Sequence, residues 1–515
     1  MRVGIYNRWL ATLGGGEKYS LSIAEHLSYQ HEVHVISHKP VPKALAEERL
    51  NLDLSRVEFK FIPEQPSTEL EKITDDYGFF INSSFMDFFP SRAGKSVQVV
   101  FFPAKIDQYL SARRIFKLAI RQMFRMPIFI NGLMQIKAEP PHIHWLVDSF
   151  TTIQFPANTN SYKAVFDICA LDHDIHDITI RLGSQSIQEI HFPSPGVRTS
   201  CELYIPGDKS GGKHNLIIQA SRHTGPSARP KLEISHLQIS LPHYRFYHIL
   251  FERSFLKAGL MLNYAPLPPS AILGYIDTYD KIWAISEFSR YWIKQYWRRH
   301  SQVLYPPINV ADYQVKTKEK YILTVGRFFA GQHNKKHLEL ICAFKQMIDK
   351  GLDGWKLHLV GGRTPGKEHE AHLTKIMEAT KGYPIEVHVD IPFQELIDLY
   401  ASSAIYWHAS GFGENAKREP IKFEHFGITT VEAMASGCVP VVIGKGAQPE
   451  IVEHGRTGFL YQTLQELQDH TTHLISNPEL LNKMSQAAIQ SSKRYDKSKF
   501  QTHLDTLVNQ LGIPS

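Results

Sequence analysis

Residues 422–442, KFEHFGITTVEAMASGCVPVV, place two glutamates on either side of a helix start. Glu424 lies before the start, and Glu432 lies in a short apolar stretch, 429–436, which predicts a helix that ends at Gly437. A helix N-terminus carries partial positive charge and free N–H groups, so it attracts phosphate. Carboxylates beside it can accept hydrogen bonds from sugar hydroxyls. The pattern therefore suits a sugar joined to a nucleoside through a diphosphate.

Glu432 also has a purely structural interpretation. Thr429 and Glu432 match the Thr-x-x-Glu pattern of a capping box, in which the two side chains bond to the first backbone N–H groups of the helix. Glu424, in the preceding loop, has no such local role. Glu424 is thus the stronger candidate for a ligand contact, and both interpretations of Glu432 stay open.

A cationic partner for a diphosphate is found about a hundred residues earlier. Arg327 follows the predicted strand YILTVG, and Lys335 and Lys336 open the next predicted helix. A lysine at a helix start opposes the helix dipole, and a nearby anion relieves this repulsion. Such cations can stabilise a leaving diphosphate without a metal ion. The alternative is that Arg327 only caps the sheet and both lysines are solvated.

Apolar runs alternate with helical patterns in two parts of the chain, which predicts two doubly wound α/β units. The first part has predicted strands VGIY, EVHVIS, VEFKFI, FFINSS and VQVVFF, and the second has YILTVG, WKLHLVGG, IEVHVD, IYWHAS, VPVVIG and GFLY. Ligands of such sheets bind beyond the carboxyl ends of the strands. We therefore expect a ligand in a cleft between the units. The glycine loop LGGGEK, at 13–18, borders that region.

Between these parts, the stretch from 140 to 242 contains short predicted strands at close spacing, separated by turn residues. That pattern is typical of a β-sandwich. We therefore predict a first α/β domain from 1–139 and 243–310, an inserted all-β sandwich at 140–242, and a second α/β domain at 311–515.

Composition narrows the classes of partner. The net charge of +6 over 515 residues is too small for a nucleic-acid coat, so we expect no nucleic-acid partner.

The four cysteines form no CxxC pair, and no catalytic metal motif appears, although DHDIHD at 172–177 resembles a metal-binding box. No stretch approaches the length of a membrane span. We expect a cytoplasmic protein with no metal and no cofactor.

Residues 113–126, RRIFKLAIRQMFRM, predict a basic amphipathic helix. Arg113, Lys117, Arg121 and Arg125 recur every four residues, and apolar side chains cover most of the rest. Such a helix either packs against the protein with a solvated basic side or lies on anionic lipid. The second interpretation would place the protein on the inner face of the cell membrane.

The motifs together resemble those of family-4 retaining glycosyltransferases. EHFGITTVEAMASGCVPVV resembles the Glu-x7-Glu signature of that family, and VGRFF followed by KKHLELICAF resembles its diphosphate-binding segment. HLVGG, GAQPEIVEHGRTGFL and GGGEK match further family patterns. The resemblance covers about residues 1–105 and 275–510. It implies a GT-B fold, which is two Rossmann-like domains: an acceptor-side domain from 1–139 and 243–310, and a nucleotide-sugar-binding domain at 311–515. It also implies sugar transfer with retention of configuration and without a metal.

The resemblance assigns roles by motif to the charged residues. It implies that Arg327 and Lys335 contact the diphosphate, that Glu424 contacts the donor sugar, and that Glu432 contacts the ribose. The segment between Arg327 and the lysines is about three residues longer than in the family pattern, so Lys336 can take the place of Lys335.

The resemblance assigns ligand contacts to six further residues, which are Gly15, Gly16, Gly361, Phe426, Gly427 and Ile428. Gly15 and Gly16 are expected to border the donor from the first domain. Where many members have a histidine before Phe-Pro, this chain reads Phe101-Phe102-Pro103, so no N-terminal site histidine is expected.

We therefore expect a retaining hexosyltransferase that moves a sugar from a nucleotide-diphosphate sugar to a glycan or lipid-linked glycan acceptor, in surface polysaccharide biosynthesis. EHFGI followed by VEAMA is similar to a eukaryotic mannosyltransferase that acts on dolichol-linked oligosaccharide, which makes GDP-mannose a candidate donor beside UDP-sugars. The alternatives are a non-catalytic glycan-binding protein, and a sugar-nucleotide epimerase or phosphorylase on the same fold.

Overall fold

The computed structural model describes residues 1–64, 67–105, 127–139, 142–155, 158–173, 175–182, 185–207, 214–220, 230–247, 271–331 and 333–513. The predicted basic helix at 113–126 lies outside these residues. The strands are β1 Arg2–Tyr6, β2 Glu32–Ser37, β3 Val57–Phe61, β4 Phe79–Asn82, β5 Lys95–Val100, β6 Ile128–Glu139, β7 His142–Phe155, β8 Tyr162–Ala170, β9 Asp177–Leu182, β10 Gln185–His191, β11 Arg198–Ile205, β12 His214–Ala220, β13 Leu232–Ile239, β14 Lys281–Ala284, β15 Gln302–Val303, β16 Glu319–Val325, β17 Lys356–Gly361, β18 Ile385–Val389, β19 Ser403–His408, β20 Val439–Ile443 and β21 Phe459–Tyr461.

The described α-helices lie mainly between the strands of the two outer parts of the chain. They are α1 Gly15–Leu27, α2 Lys43–Leu50, α3 Ser67–Ile73, α4 Pro242–Tyr247, α5 Ala271–Ile276, α6 Glu287–Trp297, α7 His337–Asp349, α8 Lys367–Thr380, α9 Phe393–Ser402, α10 Ile428–Ala435, α11 Gln448–Ile451, α12 Leu464–Ser476, α13 Pro478–Ser492 and α14 Lys497–Asn509.

Two parallel sheets confirm the two predicted α/β units. The first has the strand order β15-β14-β5-β4-β1-β2-β3, and the second has the order β18-β17-β16-β19-β20-β21. The central strands of both sheets are buried apolar runs, as expected of sheets covered on both faces.

The strand order places the candidate residues at two switch points. In the first sheet β1 lies between β2 and β4, and in the second β16 lies between β17 and β19. The glycine loop follows β1, the Arg327 segment follows β16, and the loop that carries Glu424 follows β19. Loops at such reversal points form the ligand crevice of open α/β sheets.

An antiparallel sheet of eight strands, β6 to β13, interrupts the first unit between β5 and β14. Along one edge of β7, residues 144–147 pair with β13 and residues 150–155 pair with β12, so the sheet divides into two arms with one shared core. This confirms an inserted all-β region and is consistent with a sandwich. The sheet begins at Ile128, ahead of the predicted boundary at 140. The domain limits themselves stay a prediction.

The two α/β units touch each other through the second unit's helices. The Glu450 carboxylate accepts hydrogen bonds from the backbone N–H groups of Glu287, at 2.8 Å, and Phe288, at 2.6 Å, and so caps the start of α6 in the first unit. The last helix, α14, packs on α1, where the Phe500 and Tyr19 ring centroids are 5.9 Å apart. These contacts fix one unit against the other beside the crevice.

Candidate active site

The start of α10 is open because its cap is a glycine. Gly427 has φ +116°, and a Cβ there would lie 2.6 Å from Gln448 Nε2, so only glycine fits. The predicted capping box is wrong. The Thr429 hydroxyl accepts a hydrogen bond from Tyr406 at 2.8 Å, and the Glu432 carboxylate accepts one from Tyr400 at 3.0 Å. The N-terminus of α10 therefore has no side-chain cap.

The starts of two helices meet across the crevice. Gly15 is the first residue of α1, and Ile428 is the first residue of α10. A Cβ on Gly15 would lie 3.0 Å from Ile428 Cδ1, whereas one on Gly16 would face the Phe101 ring at 3.4 Å. The Glu17 carboxylate accepts a hydrogen bond from the Gly14 N–H at 2.9 Å and offsets the partial positive charge of the α1 start. The uncapped start of α10 is therefore the one that favours an anion.

Glu424 lies at the centre of a buried polar group. Its Oε2 is 2.5 Å from Lys335 Nζ and 2.9 Å from His408 Nε2. Burial alone would raise the pKa of Glu424, but the Lys335 charge and the His408 hydrogen bond hold it well below its ordinary value. Burial lowers the pKa of His408, against the opposing effect of Glu424. A neutral His408 therefore donates its Nε2–H to an ionised Glu424.

Glycines at two strand ends let Lys335 reach Glu424. A Cβ on Gly326 would lie 2.6 Å from Lys335 Cγ, so the lysine stem passes directly over the Gly326 backbone. A Cβ on Gly361 would lie 2.1 Å from the Gly326 carbonyl oxygen. Gly361 is thus required for strand packing beneath the lysine.

The other two predicted cations take different positions. Lys336 caps α7 with φ +60° and turns away to Glu414, whose Oε1 is 2.9 Å from Lys336 Nζ. Arg327 is exposed, with its guanidinium 5.9 Å from the centroid of the Phe329 ring. Within the described part of the chain, no carboxylate pairs with Arg327. Its guanidinium is therefore available to an anionic ligand.

Aromatic side chains of the first unit lie against a histidine of the second. The Phe102 ring stacks on His425, with centroids 4.6 Å apart and planes at 18°, and His333 meets His425 edge-on at 4.7 Å. Burial, followed by the charge of Lys335, lowers the pKa of His333 to about 4. Phe426 is buried between Tyr305 and Tyr495, so its side chain serves packing.

Sequence reasoning missed the three histidines of this site. His408 ends the predicted strand IYWHAS, and His425 lies inside the quoted EHFG stretch, so both had a positional signal. His333 had no such positional signal, because it lies in a loop.

Two further expectations concern metal and membrane. In the DHDIHD stretch, Asp172 pairs with Lys231, and Asp177 pairs with His191 at 2.7 Å, so these carboxylates have counter-charges. Among the helices that the structure describes, none is long and apolar enough to cross a membrane.

Comparison with known proteins identifies the second unit. Residues 307–491 match the family model described as glycosyl transferases group 1. A GDP-Man:Man(3)GlcNAc(2)-PP-Dol alpha-1,2-mannosyltransferase of Dictyostelium discoideum is 26% identical over 227 residues, which is 40% of this chain and 43% of that protein. An alpha-1,3/1,6-mannosyltransferase, ALG2, of the same organism is 25% identical over 45% of this chain and 61% of its own length. The chain thus aligns with less than two thirds of these relatives.

Solved structures extend the likeness in fold to the whole chain. HepE of Anabaena, in complex with UDP and glucose, has a TM-score of 0.52 at 10% identity and covers 99% of this chain and 100% of its own. A glycosyltransferase from Rickettsia africae has a TM-score of 0.52 at 12% identity over 100% and 99% of the two chains. Residues 307–491 thus match the group 1 glycosyltransferase family model, and the chain as a whole has a GT-B fold with an inserted antiparallel β region.

Proposed function

We propose that this protein is a retaining hexosyltransferase. It takes a sugar from a nucleotide-diphosphate sugar and transfers it to a glycan or a lipid-linked glycan. The donor is GDP-mannose or a UDP-sugar, and the GDP-Man named in several relatives favours the first. No resident metal takes part.

One observation carries this proposal, namely the open start of α10, which faces Gly15 of α1 and follows the Glu424–Lys335 pair. A helix start without a side-chain cap favours a phosphate, and the Lys335 ammonium is bonded to Glu424 in the loop before it. The divergence of the two lysines supports Lys335 as the diphosphate contact, because Lys335 turns toward Glu424 in the loop before α10, whereas Lys336 turns away to Glu414. Arg327, which no carboxylate of the described residues pairs with, supplies a second cation at the end of β16.

The Glu424 group suits the sugar side of the reaction. One carboxylate oxygen holds Lys335 and His408, and the other, which has no partner among the described residues, can accept a hydrogen bond from a sugar hydroxyl. Because Glu424 stays ionised, it also stabilises the positive charge that develops on the ring during transfer. Glu432, which accepts a hydrogen bond from Tyr400 at 3.0 Å, is the proposed contact of the ribose.

Transfer then proceeds on one face of the sugar. The bond between the anomeric carbon and the diphosphate oxygen breaks, and the acceptor oxygen bonds to the same carbon from the same side. The acceptor proton passes to the departing diphosphate, whose charge Arg327 and Lys335 stabilise. No protein nucleophile is required.

A donor panel tests the proposal. Thermal unfolding is measured with UDP, GDP, ADP and their sugars, and release of the nucleoside diphosphate is measured with each donor and a mixed glycan acceptor. A bound nucleotide at 100 times its Kd stabilises the fold by about 2.7 kcal/mol. Stabilisation with acceptor-dependent release supports a transferase. Glycan binding without nucleotide binding would instead identify a glycan-binding protein, and interconversion of the free nucleotide sugar would identify an epimerase.

The membrane surface is a separate part of the proposal and rests on the sequence of residues 113–126. Each basic residue near an anionic surface contributes about 1 kcal/mol, which salt screens. We expect sedimentation with anionic liposomes at low salt, and release when Arg113, Lys117, Arg121 and Arg125 are changed to glutamate. Equal binding of the changed and native proteins would contradict this, and transfer to a soluble acceptor serves as the control for folding.

A further inference from the structure

Three side chains outside the crevice converge at the edge of the second parallel sheet. Strand β18 is the edge strand and pairs in parallel with β17, so that His358 lies beside Glu386 and Val360 lies beside His388. Because side chains alternate along a strand, His358, Glu386 and His388 lie on one face. Among the described residues, this is the one group of at least three His, Cys, Asp or Glu side chains whose ligand atoms all lie within 4.8 Å of one another.

The spacing of these atoms matches a metal site. His358 Nδ1 is 3.0 Å from His388 Nε2, and Glu386 Oε2 is 3.7 Å from the first nitrogen and 3.8 Å from the second. A point equidistant from three atoms so spaced is about 2.1 Å from each, which is the usual length of a zinc–nitrogen or zinc–carboxylate bond. A metal can therefore replace the hydrogen bond between the histidines with little movement.

Neighbouring charges hold the ligands in place. Lys356 Nζ is 2.9 Å from Glu386 Oε1, which leaves Oε2 turned toward the histidines. Glu395, on α9, has its Oε1 3.8 Å from His388 Nδ1. A carboxylate behind a ligating histidine favours the tautomer that keeps its other nitrogen free for metal. His358 would ligate through Nδ1, which puts its proton on Nε2, a nitrogen with no hydrogen-bond partner among the described residues.

We propose that His358, Glu386 and His388 bind one divalent transition-metal ion of the zinc type, with water in the fourth position. Two imidazoles and one carboxylate favour zinc, cobalt or nickel over magnesium and calcium, which prefer oxygen ligands. The ion would join the edge strand β18 to β17. The cluster shares no residue with the crevice, so the proposal does not depend on the proposed transferase activity.

Zinc titration of the metal-free full chain by calorimetry tests the site. The native protein is compared with His388→Ala and Glu386→Gln, and with Glu378→Gln as the control. Glu378 is a matched choice because it is also exposed and paired with a lysine, Lys381, at 2.8 Å. We expect one tight site in the native and control proteins, and its loss in the other two. Glu395→Gln should weaken it by about 10–100-fold.

Cobalt provides a second readout that weak surface binding does not give. Four-coordinate Co²⁺ absorbs visible light far more strongly than hexa-aqua Co²⁺, so one equivalent should colour the native protein and the Glu378→Gln control. Zinc should also raise the Tm of these two and leave that of Glu386→Gln unchanged. Equal zinc stoichiometry and affinity in the native, His388→Ala and Glu386→Gln proteins would overturn the proposal.

Discussion

The two walls of the crevice are built from different chemistry. The wall from the second unit is polar and charged, with Lys335, Glu424 and His408 in one bonded group. The facing wall from the first unit offers glycine backbone and aromatic rings, including Gly15 opposite Ile428 and Phe102 stacked on His425. The first wall can stabilise charge that changes during the reaction, whereas the second can only shape the crevice and exclude water from it. Substitutions in the first should therefore reduce kcat, and those in the second should mainly change KM.

Among these tests, Arg327→Ala should have the largest effect on kcat. Removal of one charged contact to a leaving group lowers kcat by about 10²–10³-fold, which is about 2.7–4 kcal/mol of transition-state stabilisation. Because Arg327 is exposed and unpaired in the described part of the chain, Tm should hardly change. Steady-state kinetics and thermal unfolding measure both quantities. Arg363→Ala, at the end of the neighbouring strand β17, is the control. If Arg327→Ala kept the native turnover, the charged wall would have no part in the mechanism.

A second test concerns the neutral histidines of the charged wall. The pKa of His333 in the folded protein is about 4, below its ordinary value near 6.5. Between these values the unfolded chain binds more protons, so the contribution of His333 to stability is full above pH 6.5 and falls as pH drops to 4. Partial exposure limits the change to about 2 kcal/mol.

His333→Asn should flatten this acid dependence, measured as the free energy of urea unfolding between pH 4 and 7. His473→Asn, on the exposed side of α12, is the control and should keep the native slope. If His333→Asn also keeps the native slope, His333 is not a buried neutral base, and its place beside Lys335 is wrong.

The features predicted from the sequence are local ones, and the features it missed are contacts between residues that are far apart in the chain. Strand and helix patterns depend on local periodicity, which located the two sheets and the Glu424 loop. His408 approaches Glu424 because β19 and the loop after it fold back on one another, and Phe102 meets His425 across more than 300 residues. No local pattern encodes such contacts. The capping box failed because α10 begins at Ile428 with Gly427 as its cap, which puts Thr429 inside the helix, and Glu432 bonds to Tyr400 of another helix.

Phe102→Leu tests the contribution of the aromatic wall. Leucine keeps most of the apolar volume and loses the stacking on His425, which is worth about 0.5–1.5 kcal/mol. We expect KM for the acceptor to rise by about 2–10-fold with kcat nearly unchanged. Phe89→Leu, equally buried but packed against Tyr6 and Phe80, is the matched control. A fall in kcat alone would mean that the aromatic wall also positions charged groups.

The smallest expected effect comes from metal removal, and it separates the crevice from the edge of the sheet. If helix starts and side-chain cations stabilise the diphosphate, excess chelator should leave kcat/KM unchanged. The same treatment should lower Tm if the His358 cluster holds zinc, because a ligand that binds only the folded state stabilises it. Parallel activity and unfolding measurements, with and without chelator, test both statements. Lost activity that manganese or magnesium restores would show that a cation belongs in the crevice, and the charged wall would then be only part of the catalytic apparatus.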